Sequence, residues 1–242
     1  NSLQPLRHHS TFVLALLWSA ACGPGPETTP AVDEPVPQGP VVVLLDSVPV
    51  IMQSADVPGL QLAYLEAGHV TATAAFGYAD SETEEPVSDR TVFEAASLSK
   101  PVFAYAVLRM VDRGEWDLDE PLWNILEYER LAHDDRAREL TTRLVLTHTT
   151  GLPNWAWGET QLNFDADPGE RWGYSGEGIV YLQRAVEAKT RLTLEELATR
   201  EVFEPLGMTE THYAWVESFD TLAASPHDEF GFPANRRTPE AG

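Results

Sequence analysis

Lysine is nearly missing from this chain: of 16 basic residues only Lys100 and Lys189 are lysine, and the rest are arginine. Cysteine is scarcer still. The single one, Cys22, excludes an internal disulfide. Basic charge is short overall, with 16 Lys and Arg against 38 Asp and Glu and a formal net charge of −22. Such a chain repels phosphate backbones, which argues against a nucleic-acid partner. The acids are spread rather than blocked, as on a soluble acidic surface. No His, Glu or Cys cluster has metal-ligand spacing, so no metal or cofactor is implied. The longest apolar run, near the N-terminus, is too short to cross a bilayer as a permanent helix.

What is present suffices for one sizeable core: 242 residues, 43% hydrophobic, with 7 Trp, 7 Tyr and 9 Phe. Arg7, His8 and His9 precede "TFVLALLWSAAC", an apolar run ending in small residues. Residues 1–22 therefore read as a signal peptide. "SAAC" resembles a bacterial lipoprotein cleavage site, which makes Cys22 the expected lipidation residue and membrane anchor. The implied location is the bacterial cell envelope, or secretion if the Cys is not lipidated. Residues 23–40, "GPGPETTPAVDEPVPQGP", are rich in Pro and acids and read as an extended tether. The globular domain is expected over 41–242.

Within it, "VVVLLDSVPVIMQSAD" predicts a helix, with Pro49 as a weak point. "LQLAYLEAG" and "HVTATAAFG" predict two strands about a tight turn at Glu66, Ala67 and Gly68. "ADSETEEPVSD" reads as loop. A strong helix follows Ser97, with Pro101 in its first turn and Gly114 at its end. "LTTRLVLTHTTGLP" predicts a second helix closed by Gly151 and Pro153, and "GEGIVYLQRAVEAKT" a third. Thr193 and Glu196 form a capping box before a fourth. Strands come early and helices later, so the class is α+β.

Ser97 and Lys100 are three residues apart, on one helix face, so the amine can reach the hydroxyl. Serine is a poor nucleophile until a base takes its proton. Lysine can act as that base, whereas arginine cannot, because it does not lose its proton. A chain that otherwise chooses arginine would still need lysine here. The bland alternative is an N-cap serine with Lys100 reaching solvent. A second signal is "PGERWGYSGEGIVYLQ", which puts Tyr174 at the mouth of another helix, where cations can favour its phenolate. Taken alone, Tyr174 reads as an ordinary core aromatic.

Ser-x-x-Lys, the later Tyr-Ser-x, "LTHTTGLP" and "PGERWGYSGEG" occur in an order that resembles the serine β-lactamase-related hydrolases. That group includes class C β-lactamases, D-alanyl-D-alanine carboxypeptidases and related esterases. The resemblance implies a β-lactamase/transpeptidase-like fold, an antiparallel sheet with flanking helices and a mainly helical subdomain. It also implies a serine hydrolase working through an acyl-enzyme on a small ester, a cell-wall peptide or a β-lactam. Ser97 matches the nucleophile, Lys100 its helper base and Tyr174 the catalytic tyrosine. Gly176 and Glu177 are the expected substrate-binding neighbours, and His148 reads as a structural residue. Two departures stand out. Gly176 replaces an Asn that could bond a substrate amide, which favours small esters. The family's third element, a Lys-Thr-Gly-like or His-x-Gly run, has no counterpart after Tyr174. The chain is thus expected to lack the C-terminal strands and to be weakly active by itself. The alternative function is a non-catalytic envelope protein that binds cell-wall peptides or a partner.

Overall fold

A computed structural model describes residues 39–228 and 232–233. The signal-peptide and lipidation readings at residues 1–22, and most of the tether, lie outside these residues.

The first helix, α1 (Pro40–Ser54), runs through Pro49. It lays Val41, Val48 and Met52 against the hairpin that follows. Strands β1 (Gly59–Glu66) and β2 (His69–Asp80) pair antiparallel, from Gly59 opposite Gly77 to Glu66 opposite His69. The turn is Ala67 and Gly68, with φ of 49° and 82°. Two left-handed residues are what a two-residue hairpin turn requires, and Gly68 adopts its angle without a Cβ penalty. The predicted loop at 79–89 is more ordered than its polarity suggests. β2 continues to Asp80, and a short β3 (Glu85–Pro86) returns along it, giving a sheet ordered β1-β2-β3.

The main core is helical. It joins Phe103, Ala106, Val107 and Met110 of α2 (Ser99–Asp112) to Tyr181, Leu182, Ala185 and Val186 of α4 (Gly176–Thr190). Each contributes residues at spacings of three and four, the stripe that buries one side of a helix. Leu108, on the other side of α2, is exposed. Fully buried Leu122, Leu131, Leu140 and Leu162 from the intervening loops complete this core. The capping box at Thr193 and Glu196 is formed and starts α5 (Leu194–Ala198). A wide π turn over Thr199–Phe203 then leads into α6 (Glu204–Leu206). Buried Glu201 in that turn receives a two-pronged hydrogen bond from Arg113, both contacts at 2.9 Å, which ties it to the end of α2.

One predicted helix is corrected. In "LTTRLVLTHTTGLP" only α3 (Thr142–Leu146) is helical. The Thr147 hydroxyl bonds back to Arg143 O at 2.8 Å, and His148 swings to φ 55°. Hydroxyl side chains that bond their own backbone offer the chain an alternative to helix, and here that alternative wins. Beyond α7 (Phe219–Leu222) the chain stitches back to the sheet. Ala224 N–H donates to Val92 O at 2.8 Å and Ser225 N–H to Ala79 O at 2.8 Å.

Candidate active site

Ser97 lies in a single 3₁₀ turn (Ala96–Leu98) that runs directly into α2. Its hydroxyl caps neither helix, so the N-cap alternative does not hold. Ala96, just before it, has φ 44°, a left-handed value that costs a residue with a Cβ of order 1–2 kcal/mol. The start of α2 is pinned from outside by the Tyr213 hydroxyl, which donates to Ser99 O at 2.6 Å.

Lys100 Nζ donates to Ser97 Oγ at 3.1 Å. Its positive end stands 5.4 Å from the centre of the Tyr174 ring and 5.7 Å from that of Trp155. No carboxylate pairs with Lys100 among the described residues. Lys189 shows the ordinary alternative: it is bound to Glu120 at 3.0 Å and lies over Trp116. A larger cavity of about 430 Å³ opens beside Lys189, but it holds no nucleophile paired with a base, and its Arg143 is already bonded to Asp119.

Tyr174 arrives from the far side of the chain. It immediately precedes Ser175, the N-cap of α4, whose Oγ accepts from Gly178 N at 2.9 Å and donates to Pro153 O at 2.8 Å. The Tyr174 phenol faces Ser97 and Lys100, and Ser97 first and Lys100 after it hold its pKa below the ordinary tyrosine value against an opposing effect of burial. Ser97, Lys100 and Tyr174 thus meet in one open cavity of about 310 Å³.

His148 also lines that cavity, a placement the sequence reading did not assign it. It clamps the segment carrying Tyr174. Its carbonyl accepts from Gly173 N at 2.8 Å, its Nδ1 accepts from Ser175 N at 3.2 Å, and its ring packs on the Tyr174 ring at 4.6 Å. Burial first, and the Lys100 charge second, depress the His148 pKa below 6.5. Protonation would also put a hydrogen on Nδ1, where the Ser175 N–H already points. The neutral ring is therefore the one that clamps. A histidine that is harder to protonate when folded stabilises the fold above its unfolded pKa, and that stabilisation fades as pH falls below 6.5. His148→Asn places an oxygen near the Nδ1 position and tolerates the left-handed backbone. It should keep at least about tenfold more turnover than His148→Ala and lose the His148-dependent acid limb of the pH–rate profile. Equal rates in the two variants, or an acid limb unchanged from the parent in His148→Asn, would contradict the clamp.

Gly176 and Glu177 are placed differently from expectation. Neither lines the cavity. Glu177 is buried, accepts from Arg130 at 2.7 Å, and accepts from Ala156 N at 2.9 Å, so its carboxylate is fully used within the scaffold. Gly176 is covered by the Trp155 indole.

A family model described as Beta-lactamase matches residues 47–241, and the chain belongs to that family. It is 31% identical over 199 residues to the esterase EstB of Burkholderia gladioli, a match covering 70% of this chain and 50% of that one. It is 29% identical over 171 residues to penicillin-binding protein 4* of Bacillus subtilis, covering 60% of this chain and 36% of that one. Among solved structures, one titled as a class C beta-lactamase superposes with a TM-score of 0.72 at 19% identity, over 81% of this chain and 57% of that one. The fold is therefore the β-lactamase/transpeptidase-like fold, and the chain spans about half the length of the relatives it matches or less.

Proposed function

We propose that the protein is a serine hydrolase that cleaves carboxylic esters through an acyl-enzyme on Ser97. The observation that carries this reading is the 3.1 Å hydrogen bond from Lys100 Nζ to Ser97 Oγ, with Tyr174 lining the same cavity. Lys100 and Tyr174 form a pair that passes one proton between amine and phenolate. The basic member takes the proton of Ser97 as Oγ bonds to the substrate carbonyl carbon. That proton is returned to the leaving oxygen as the carbon–oxygen bond breaks. A water then adds to the acyl carbon, gives its proton to the same pair, and the acid leaves as Ser97 Oγ recovers a proton. Membership of a family containing an esterase and a penicillin-binding protein supports the reaction class. Gly176, with no side-chain amide to offer a peptide, favours the ester.

Tyr174→Phe tests the third member. It keeps the ring that packs on His148 and removes one oxygen, so thermal unfolding should change little while turnover of an aryl ester falls about 10²-fold. A Phe variant as fast as the parent would reduce Tyr174 to a packing residue.

The envelope location belongs to the same proposal. It is supported by the sequence around Cys22 alone. Cys22→Ser in a bacterial host should move the protein from the membrane fraction to the soluble one, and unchanged membrane retention would rule out a lipid anchor.

A further inference from the structure

The first turn of α4 is bolted to the loop that carries Trp155. Gly176 N–H lies 3.0 Å from the Asn154 carbonyl and 3.1 Å from Asn154 Oδ1, and Glu177 N–H reaches the same carbonyl at 3.1 Å. On the other side of Trp155, the Ala156 N–H donates to Glu177 Oε1 at 2.9 Å. Trp155 thus lies between two residues tied to the helix, and the buried Glu177 that binds Arg130 is one of the ties. The indole fills the space above Gly176. A Cβ at position 176 would stand 2.6 Å from two of its ring carbons, closer than real contacts allow. The backbone of Gly176 is held by Asn154, so any side chain there has to push the indole away.

The displaced ring would matter, because the same indole borders Lys100. Its centroid is 5.7 Å from Lys100 Nζ, within cation–π range. Its outer side stacks on Trp157 at 5.0 Å, and Trp157 is 79% exposed. The stacked pair therefore runs from solvent to Lys100, at the edge of the Ser97 cavity rather than in its lining. The indole fills the space that a side chain at position 176 would take, so no side-chain amide can stand there while the ring keeps its place.

We infer that Trp155 is a specificity-determining residue of this site, seated by Gly176, and that it selects esters carrying an aromatic or flat apolar group next to the reacting carbonyl. This rests on the acyl-enzyme reading above. Indole faces favour flat apolar partners by contact area and offer only one hydrogen-bond donor at the rim. An aromatic surface of this kind at the cavity edge separates substrates by a modest factor, whereas a missing amide partner penalises a buried peptide group more heavily.

The test uses the full-length protein and three esters followed by acid release: methyl acetate, methyl phenylacetate and benzyl acetate. The ratio of kcat/KM for the better aromatic ester to that for methyl acetate is measured in the parent, Trp155→Ala, Gly176→Ala and the double variant. Ala is a good helix residue at 176, so Gly176→Ala should fold and act only by moving the indole. The ratio should fall about tenfold in each single variant, and the double variant should match Trp155→Ala, because the two changes act through one ring. Fluorophosphonate labelling of Ser97 in each variant separates the two readings. Labelled variants whose ratios stay within about twofold of the parent overturn the role of Trp155 alone. An unlabelled parent overturns the acyl-enzyme reading and this inference with it.

Discussion

Ser97→Ala should lower ester turnover by about 10⁴-fold or more, with thermal unfolding nearly unchanged. The size follows from what is lost: without the Ser97 hydroxyl the acyl intermediate on that residue cannot form, and the reaction falls back on direct attack by water. The fold has little reason to respond. The Ser97 hydroxyl caps no helix, and its partners, Lys100 and Tyr174, face an open cavity that water can fill. The residue before it carries left-handed strain whether position 97 is Ser or Ala. The check is kcat/KM on an aryl ester beside a melting curve for the same preparation. A variant that keeps more than about one per cent of the parent rate while folded would remove Ser97 from the chemistry.

Lys100→Arg should be nearly as damaging as Lys100→Ala, each costing about 10³-fold. If Lys100 acted only as a positive charge, Arg would preserve most of the rate, since it keeps the charge and reach. It cannot give up its proton, so it cannot serve as the amine half of the Lys100–Tyr174 pair. It also presents a planar fork where the ammonium now sits between the Tyr174 and Trp155 rings at 5.4 and 5.7 Å. Rates of the two variants, measured with equal Ser97 content, decide the matter. Substantial turnover with Arg would make Lys100 an electrostatic or packing residue.

The parts of this site that were legible in sequence are those set by short-range geometry. A three-residue separation is enough to bring Lys100 onto Ser97, and the structure shows that bond. The helix over "GEGIVYLQRAVEAKT" is legible from its own pattern, and it puts Tyr174 at a helix mouth. The Ala67-Gly68 turn and the Thr193–Glu196 capping box were local signals of the same kind. What sequence did not reveal depends on where distant segments meet. Leu144, Val145 and Leu146 look helical and carry the predicted helix through His148, yet its φ of 55° turns the chain so that carbonyl and ring both reach the 173–175 segment. Glu177, three residues after Tyr174, reads from sequence as a pocket-border acid or a solvated acid at a helix N-terminus, but the first turn of α4 aims it at Arg130 and Ala156. The glycine at 176 was visible as a departure from the family's usual Asn. Its cause, the Trp155 ring from 21 positions earlier, follows only from the packing.

Mapping a covalent adduct tests the central claim most directly. The full-length protein is treated with a fluorophosphonate probe, digested, and the modified peptide sequenced by mass spectrometry. The expected result is a single adduct on Ser97, within the peptide containing "FEAASLSK", that is absent after Ser97→Ala and slowed by both Lys100 variants. An adduct on another residue, or none on a protein that hydrolyses the aryl ester, would contradict the assignment of Ser97 as the nucleophile.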